Sequence, residues 1–297
     1  MTQDTAPGRA ALSILAGMAT LGLSDNFVPY VSHDSSLWQF HLLRGAMALC
    51  ALAIIAALGS GVIWPKRPVA VLGRSALQAT SMLIYFGCLA ILPIGVVVAG
   101  LFTSPLFVAL IAAIFQGKRI GGLHGFAICV GFVGALLVIR PDPAALDLVA
   151  FLPIFAGLLY AIGAVATRAW CEGEGTLSLS AGFFLMLTVM GAVGCLLLPG
   201  SGSGPDGFAA RGWMPLNTDL LFWIAVQAVG ALLGIVFLFR GYQIGEASQV
   251  AVYEYSLLIF ASGWAWYLWG QAVPPLGLLG MGLIIMSGAL IATRRKM

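Results

Sequence analysis

Three ionisable side chains lie inside long apolar runs, where a charge is costly: Asp25, Arg44 and Glu254. Asp25 stands six residues before the end of the first run, and Arg44 stands seven residues after the start of the second, with His41 between that start and Arg44. A helix rises about 1.5 Å per residue, so Asp25 and Arg44 are expected about 10 Å below the same membrane surface. Two interpretations stay open: a structural ion pair between helices, or a site or gate for the ammonium and carboxylate groups of a zwitterion.

Glu254 lies seven residues into the ninth apolar run, between Tyr253 and Tyr255, on the other side of the membrane midplane from Asp25 and Arg44. A carboxyl group there can bind a proton, pair with a substrate amine, or accept a hydrogen bond from a neighbouring hydroxyl group. A transport role and a packing role are both compatible with this position.

Further polar and aromatic side chains fall near the middle of several apolar runs, where facing helices can line a cavity. Gln78 and Tyr85 are seven residues apart, which puts them on one helical face. Pro105 removes a backbone hydrogen bond within its run and can kink the helix. The alternative for each polar residue is a hydrogen bond between helices. The candidate substrate-binding or gating residues are Asp25, His41, Arg44, Gln78, Tyr85, Thr103, Ser104, Pro105, Tyr160, Gln227, Tyr253 and Glu254.

Motifs of nucleotide hydrolysis and of common hydrolases are missing from the sequence. It contains no Walker-type loop, no His-Glu-x-x-His and no Gly-x-Ser-x-Gly. ATP hydrolysis by this chain alone is therefore excluded, and no enzyme activity is expected. The five cysteines show no paired spacing, so no cofactor and no metal site is predicted. The net charge of +3 comes from scattered basic residues, and no nucleic-acid partner is expected.

The composition requires a lipid bilayer around the chain. Hydrophobic residues make up 61% and charged residues 8% of the sequence, and the mean hydropathy is +1.02, which leaves too few polar groups to cover a soluble globule. A spanning helix needs about 20 mostly apolar residues. The predicted fold class is an all-α integral membrane protein with ten transmembrane helices. The candidate spans are 11–31, 37–58, 75–93, 95–115, 121–139, 148–168, 179–198, 218–239, 247–269 and 275–293.

An internal repeat relates the two halves of the chain. The heptapeptide GALLVIR at 134–140 returns as GALIATR at 288–294, and Gln78-Ala79 returns as Gln227-Ala228. These and other matches share offsets of 149 to 154 residues. A common offset predicts a duplication, with one five-helix repeat in residues 1–145 and the other in 146–297.

The basic residues predict the orientation. Eleven of them, including Arg74 in the loop before the third span, fall on the side of the N-terminus, and only Arg140 and Arg211 fall on the other. Because Lys and Arg favour cytoplasmic loops, both termini are predicted to be cytoplasmic and the chain to cross the cell (inner) membrane many times. An odd number of spans in each half inverts the second half, and inverted repeats commonly support alternating access. The Gly/Ser/Pro-rich stretch 199–217 is predicted to be a flexible connector.

Two local signatures resemble those of a known family: RGAMA at 44–48, and the Pro-centred SPLFVALIAAIFQGKR at 104–119. With them, the chain resembles the drug/metabolite transporter superfamily, specifically its EamA-type members with two five-helix repeats, over nearly its whole length. Within the superfamily, the chain most resembles the aromatic and general amino-acid exporters. The resemblance implies a secondary transporter of small metabolites, with amino-acid export as the first hypothesis. Proton coupling, exchange and facilitated diffusion stay open, and the alternatives are an intramembrane enzyme and a structural or lipid-scrambling membrane protein.

Overall fold

The computed structural model describes residues 7–293 apart from 33, 60, 89–91, 93, 117–120, 140–148, 150 and 201–206. Over these residues the secondary structure is helical, with no strand. The α-helices are α1 Pro7–Asp25, α2 Val28–Ser32, α3 Leu37–Ala57, α4 Pro68–Cys88, α5 Ile94–Leu101, α6 Ser104–Gln116, α7 Gly122–Ile139, α8 Phe151–Ala169, α9 Thr176–Leu197, α10 Thr218–Ile244, α11 Ala247–Val250, α12 Ser256–Trp269 and α13 Pro275–Thr293. A 3₁₀ segment, Ala251–Tyr255, joins α11 to α12. The predicted boundary at 145/146, Arg140 and the turn at Lys118 and Arg119 lie outside the described residues.

Seven stretches of the described chain are long and apolar enough to cross a membrane. They are Leu37–Ala57, Pro68–Cys88, Val97–Ile114, Gly122–Ile139, Leu152–Ala169, Thr176–Leu197 and Thr218–Ile244, and Pro275–Leu290 is a shorter apolar helix. The chain is therefore an all-helical, multi-pass membrane protein, and the count of ten spans stays a prediction.

Two of the predicted spans are interrupted in mid-course. The fourth is divided into α5 and α6, with the break at Phe102 and Thr103. Pro105 explains this break, since it has no N–H to donate to the carbonyl group of Leu101, where α5 ends. The loss of a backbone hydrogen bond predicted at Pro105 thus coincides with an interruption of the helix. In the ninth span, the 3₁₀ segment Ala251–Tyr255 changes the helical period between α11 and α12.

Helices α1, α3, α4 and α7 pack along α10, α9, α8 and α13, respectively. Glycines allow the closest approaches. A Cβ atom added at Gly17 would lie 2.9 Å from the carbonyl oxygen of Gly234, and one at Gly134 would lie 2.7 Å from that of Gly280. Only glycine fits such backbone contacts, so these residues fix where α1 crosses α10 and where α7 crosses α13.

The start of α4 corrects the sequence prediction of a third span beginning at residue 75. The helix begins at Pro68, in agreement with the preference of proline for the first turn of a helix. Arg74 therefore lies in the second turn of α4, where it is fully buried, and not in a cytoplasmic loop.

The stretch 199–217 is not simply a flexible connector in its described part. Arg211 is buried there, and its Nη2 donates hydrogen bonds to the carbonyl oxygens of Ser35 at 2.7 Å and Ser32 at 3.3 Å. The indole N–H of Trp38 donates to the carbonyl oxygen of Ala209 at 2.9 Å. These contacts seat the loop on the segment between α2 and α3, which the high Gly/Ser content does not reveal.

Candidate functional site

Glu254 lies in the interrupted ninth span, within the 3₁₀ segment. Its carboxylate accepts a hydrogen bond from the hydroxyl group of Tyr242 on α10, and Tyr160 on α8 interacts with it electrostatically. Glu254 and Tyr242 are both buried. Side chains from three parts of the fold therefore converge on one carboxylate, which matches the rule that buried charges are hydrogen-bonded.

Arg44, on α3, is buried with a guanidinium group that has spare donor capacity. Its Nη2 lies 3.2 Å from Nδ1 of His41, one turn earlier on the same helix. Its guanidinium carbon lies 4.5 Å from the ring centre of Phe40 and 5.4 Å from that of Phe86, which is cation–π geometry. The Nε of Arg44 has no hydrogen-bond partner among the described residues. A guanidinium group that lies between aromatic rings and an imidazole and keeps an unused N–H is suited to a carboxylate ligand.

Asp25 is the last residue of α1, and its side chain is exposed to the central space although it lies deep among the helices. The carboxylate of Asp25 and the guanidinium group of Arg44 interact electrostatically across this space, yet no salt bridge within 4 Å joins them in the described structure. A carboxylate at a helix C-terminus meets the negative end of the helix dipole, which is unfavourable. The position of Asp25 therefore contributes little to the stability of α1.

A single cavity connects these charged groups. The volume of this cavity is about 110 Å³, whereas a cavity that holds one water needs only about 10–15 Å³. The cavity therefore holds several waters or part of a solute. Its walls are mainly aliphatic and aromatic and come from nine helices, the Phe102 break and the 3₁₀ segment. They are Met18, Leu21, Asp25, Arg44, Met82, Tyr85, Phe86, Leu101, Phe102, Ser104, Tyr160, Phe183, Ala231, Ile235, Leu238, Glu254 and Leu257.

Half of the twelve residues predicted from the sequence line this cavity: Asp25, Arg44, Tyr85, Ser104, Tyr160 and Glu254. His41 is buried beside Arg44 and contacts it directly. Each remaining member of the set lies away from the cavity wall.

Gln227 joins α10 to α1 by a hydrogen bond from its Nε2 to the carbonyl oxygen of Ser24. The hydroxyl group of Thr103 donates to the carbonyl oxygen of Gly100 at 2.6 Å, and Pro105 is buried in the first turn of α6. These residues shape the helices around the cavity.

Gln78 and Tyr253 also lie outside the cavity wall. Gln78 is buried against Gly163 on α8. Tyr253 lines a separate groove with Leu15 of α1 and Ile284 of α13. Successive side chains of a 3₁₀ helix are rotated by about 120°, which explains why Tyr253 and its neighbour Glu254 face different spaces.

Two functional candidates were not expected from the sequence: Arg74 and Tyr242. Arg74 was not expected because the predicted third span begins after it. The spacing of Arg74, Gln78, Ser81 and Tyr85 nevertheless places all four on one face of α4. This polar stripe is the signal that could have identified Arg74. Tyr242 has no comparable signal, since only the fold brings α10 beside the 3₁₀ segment.

No known family model matches the chain. The chain is 27% identical over 269 residues to a riboflavin transporter of Rhizobium johnstonii, an alignment that covers 90% of this chain and 83% of the relative. It is 27% identical over 301 residues to a pseudopaline exporter of Pseudomonas aeruginosa, covering 100% of this chain and 99% of the relative. A solved crystal structure of a protein matches with a TM-score of 0.75 at 18% identity, over 97% of this chain and 98% of that chain, which shows a shared fold. Together with the apolar helices, the transporter relatives support a membrane transporter of small metabolites.

Proposed function

We propose that the chain is a secondary transporter that exports amino-acid-like zwitterions across the cell membrane by alternating access through the central cavity. The observation that carries this proposal is one space lined by a cation, Arg44, and two carboxylates, Asp25 and Glu254. Around these charges the wall is apolar and aromatic. Ligand sites with a few polar groups in an apolar wall typically bind small amphipathic molecules.

The charges favour a zwitterion over a purely anionic or cationic solute. A carboxylate ligand fits the guanidinium group of Arg44, whose Nε has no partner in the described structure. An ammonium group fits the carboxylate of Asp25, which is exposed to the cavity. The apolar part of the ligand fits beside Phe86, Phe183 and their aliphatic neighbours. Because one relative is named for riboflavin and another for pseudopaline, the proposed cargo rests on these side chains and not on the names.

Alternating access is supported by the packing of the helices. If two inverted five-helix repeats are exchanged, α1 takes the place of α8 and α10 takes the place of α4. The pair α1–α10 is therefore equivalent to the pair α8–α4. The same exchange maps the pairs α3 with α9 and α7 with α13 onto themselves. All four pairs occur. The interruptions at 102–103 and 251–255 are also related by the repeat offset of 149 to 154 residues. In such architectures the substrate site lies at the interface of the repeats.

Glu254 is the proposed carrier of a coupling proton. It is the carboxylate on the cytoplasmic side of the midplane under the predicted orientation, and the hydroxyl group of Tyr242 holds it in the cavity wall. A carboxyl group that alternates between a proton and a substrate amine would link the two movements. The EamA-type resemblance, cytoplasmic termini and an inner-membrane location belong to the same proposal.

Flux through purified protein in liposomes tests the proposal. Amino acids are screened with and without a pH gradient, for wild type, Arg44→Ala and Glu254→Gln, with Arg67→Ala at an exposed position as the matched control. We expect the wild type and Arg67→Ala to move zwitterionic amino acids, Arg44→Ala to lose most of that flux, and Glu254→Gln to lose its response to the gradient. Absence of solute flux in wild type, or lipid scrambling alone, would reject the transporter.

A further inference from the structure

Arg74 is a fully buried cation whose described partners are neutral. Its Nε donates a hydrogen bond to Oγ1 of Thr167 on α8 at 2.8 Å, and its Nη1 donates to the carbonyl oxygen of Leu179 on α9 at 3.2 Å. Its guanidinium carbon lies 3.7 Å from the ring centre of Phe239 on α10. Its Nη2 has no hydrogen-bond partner, and no Asp or Glu forms a salt bridge with it in the part of the chain that the structure describes. A buried charge without a counter-ion is costly unless a ligand supplies one.

Two neighbours on α4 also keep unused hydrogen-bonding capacity. Both amide atoms of Gln78, one turn further along the helix, and the hydroxyl group of Ser75 are buried without partners among the described residues. Native structures rarely leave such groups unsatisfied, and each exception needs an explanation. Arg74, Ser75 and Gln78 thus place buried polar atoms without partners on adjacent turns of α4.

This cluster lies between the central cavity and a second pocket. Thr167, which accepts the hydrogen bond of Arg74, lines a pocket with Arg168, Cys171, Glu172, Gly173, Gln243 and Ile244, here named the α8–α9 pocket. On the other side, the ring of Phe239 packs at 5.8 Å against that of Phe183, which lines the central cavity. Along α8, Tyr160 faces the cavity, Gly163 contacts Gln78, and Thr167 faces the second pocket. Arg74, which contacts both Thr167 and Phe239, therefore lies between residues that line the α8–α9 pocket and residues packed against the central cavity.

We propose that Arg74, Gln78 and Ser75 form a second binding station that takes the carboxylate group of the solute between the central cavity and the α8–α9 pocket. The inference rests on the proposed transport function and extends it to a site remote from Arg44. The guanidinium nitrogen and the amide N–H groups of Gln78 donate to the carboxylate, and the Ser75 hydroxyl group adds a donor. When the helices are closed, Arg74 is held by Thr167, Leu179 and Phe239. When they separate, the same side chain faces the path.

Equilibrium binding of phenylacetate, with phenylacetamide as the uncharged comparison, tests this station in purified protein. The Arg44→Gln background removes the guanidinium group of the cavity. We expect phenylacetate, but not phenylacetamide, to bind Arg44→Gln protein. Adding Arg74→Gln should weaken binding at least about tenfold, as expected for loss of a charge-assisted hydrogen bond. Adding the exposed change Arg67→Gln should leave the affinity within about twofold, because an exposed charge in water contributes little. Equal affinity with and without Arg74→Gln, or loss of all binding in Arg44→Gln alone, would overturn the proposal.

Gln78→Leu separates binding from folding. The amide group has no partner, so its replacement by an apolar side chain of similar size should leave the melting temperature unchanged or higher. In the Arg44→Gln background it should still weaken phenylacetate binding by about threefold or more. A purely structural residue would instead lose stability and keep the affinity. If phenylacetate binding depends on Arg74 but no solute flux is found, the transport function is rejected. If solute flux is found but binding does not depend on Arg74, the second binding station is rejected.

Discussion

The hydroxyl group of Tyr242 donates a hydrogen bond to the carboxylate of Glu254 and so joins α10 to the 3₁₀ segment of the interrupted ninth span. Both side chains are buried, so the bond is made away from bulk water, where an unsatisfied carboxylate is costly. The pair therefore couples the packing of α10 to the state of the carboxyl group.

Tyr242→Phe should lower stability by about 1–3 kcal/mol, because it leaves a buried charged group with one donor fewer. Unfolding of the detergent-solubilised protein measures this. In a double-mutant cycle with Glu254→Gln, the two changes should be less than additive by about 1 kcal/mol or more, because both act on one hydrogen bond. Additive effects would show that the two side chains do not interact.

Asp25→Asn should separate stability from transport. The carboxylate is exposed to the cavity and forms no salt bridge in the described structure, so its loss should change the melting temperature little. If Asp25 binds the ammonium group, flux of a zwitterionic amino acid should fall at least about tenfold, the equivalent of about 1.4 kcal/mol. Unchanged flux in well-folded protein would leave Asp25 without a role in binding.

Gly134→Ala should destabilise the crossing of α7 and α13, since the added Cβ would lie 2.7 Å from the carbonyl oxygen of Gly280. Overpacking against backbone typically costs about 1–3 kcal/mol. The matched control is Gly282→Ala on α13, where no atom lies within 4 Å of the added Cβ. The melting temperature should fall for the first variant and stay the same or rise for the second. The opposite order would be incompatible with the packing of these helices.

Arg211→Ala should release the loop 207–217 from the segment between α2 and α3. The change removes hydrogen bonds to Ser35 and Ser32 and empties a buried position. Limited proteolysis in this loop should become at least severalfold faster than in wild type. Arg240→Ala, at an exposed position on α10, serves as the comparison. Equal cleavage rates for all three proteins would show that Arg211 does not hold the loop.

Asp25, Arg44 and Glu254, the charges that the sequence places inside apolar runs, meet at one cavity in the structure. A lone charge in an apolar run is informative because lipid offers it no solvent, so it must face the interior of the bundle. The interruption of the helix before Pro105 was predictable for a similarly local reason, the missing N–H of proline.

The sequence could not assign the helical face of uncharged polar residues. Gln227 and Tyr253 lie at plausible depths, but Gln227 bonds to Ser24 and Tyr253 faces another groove. Arg74 was missed for a different reason. Apolar windows begin after a basic cluster, whereas the helix itself begins at Pro68 and carries Arg74 into the bundle.

Uptake of phenylalanine into liposomes containing the purified protein, against its two singly charged analogues, tests the central claim most directly. Phenylalaninamide lacks the carboxylate, and hydrocinnamate lacks the ammonium group. If Arg44 and Asp25 bind the two ends of a zwitterion, phenylalanine should be taken up at least about tenfold faster than either analogue, since each loses a charge-assisted contact. Equal uptake of all three compounds, or no uptake of any, would contradict the account.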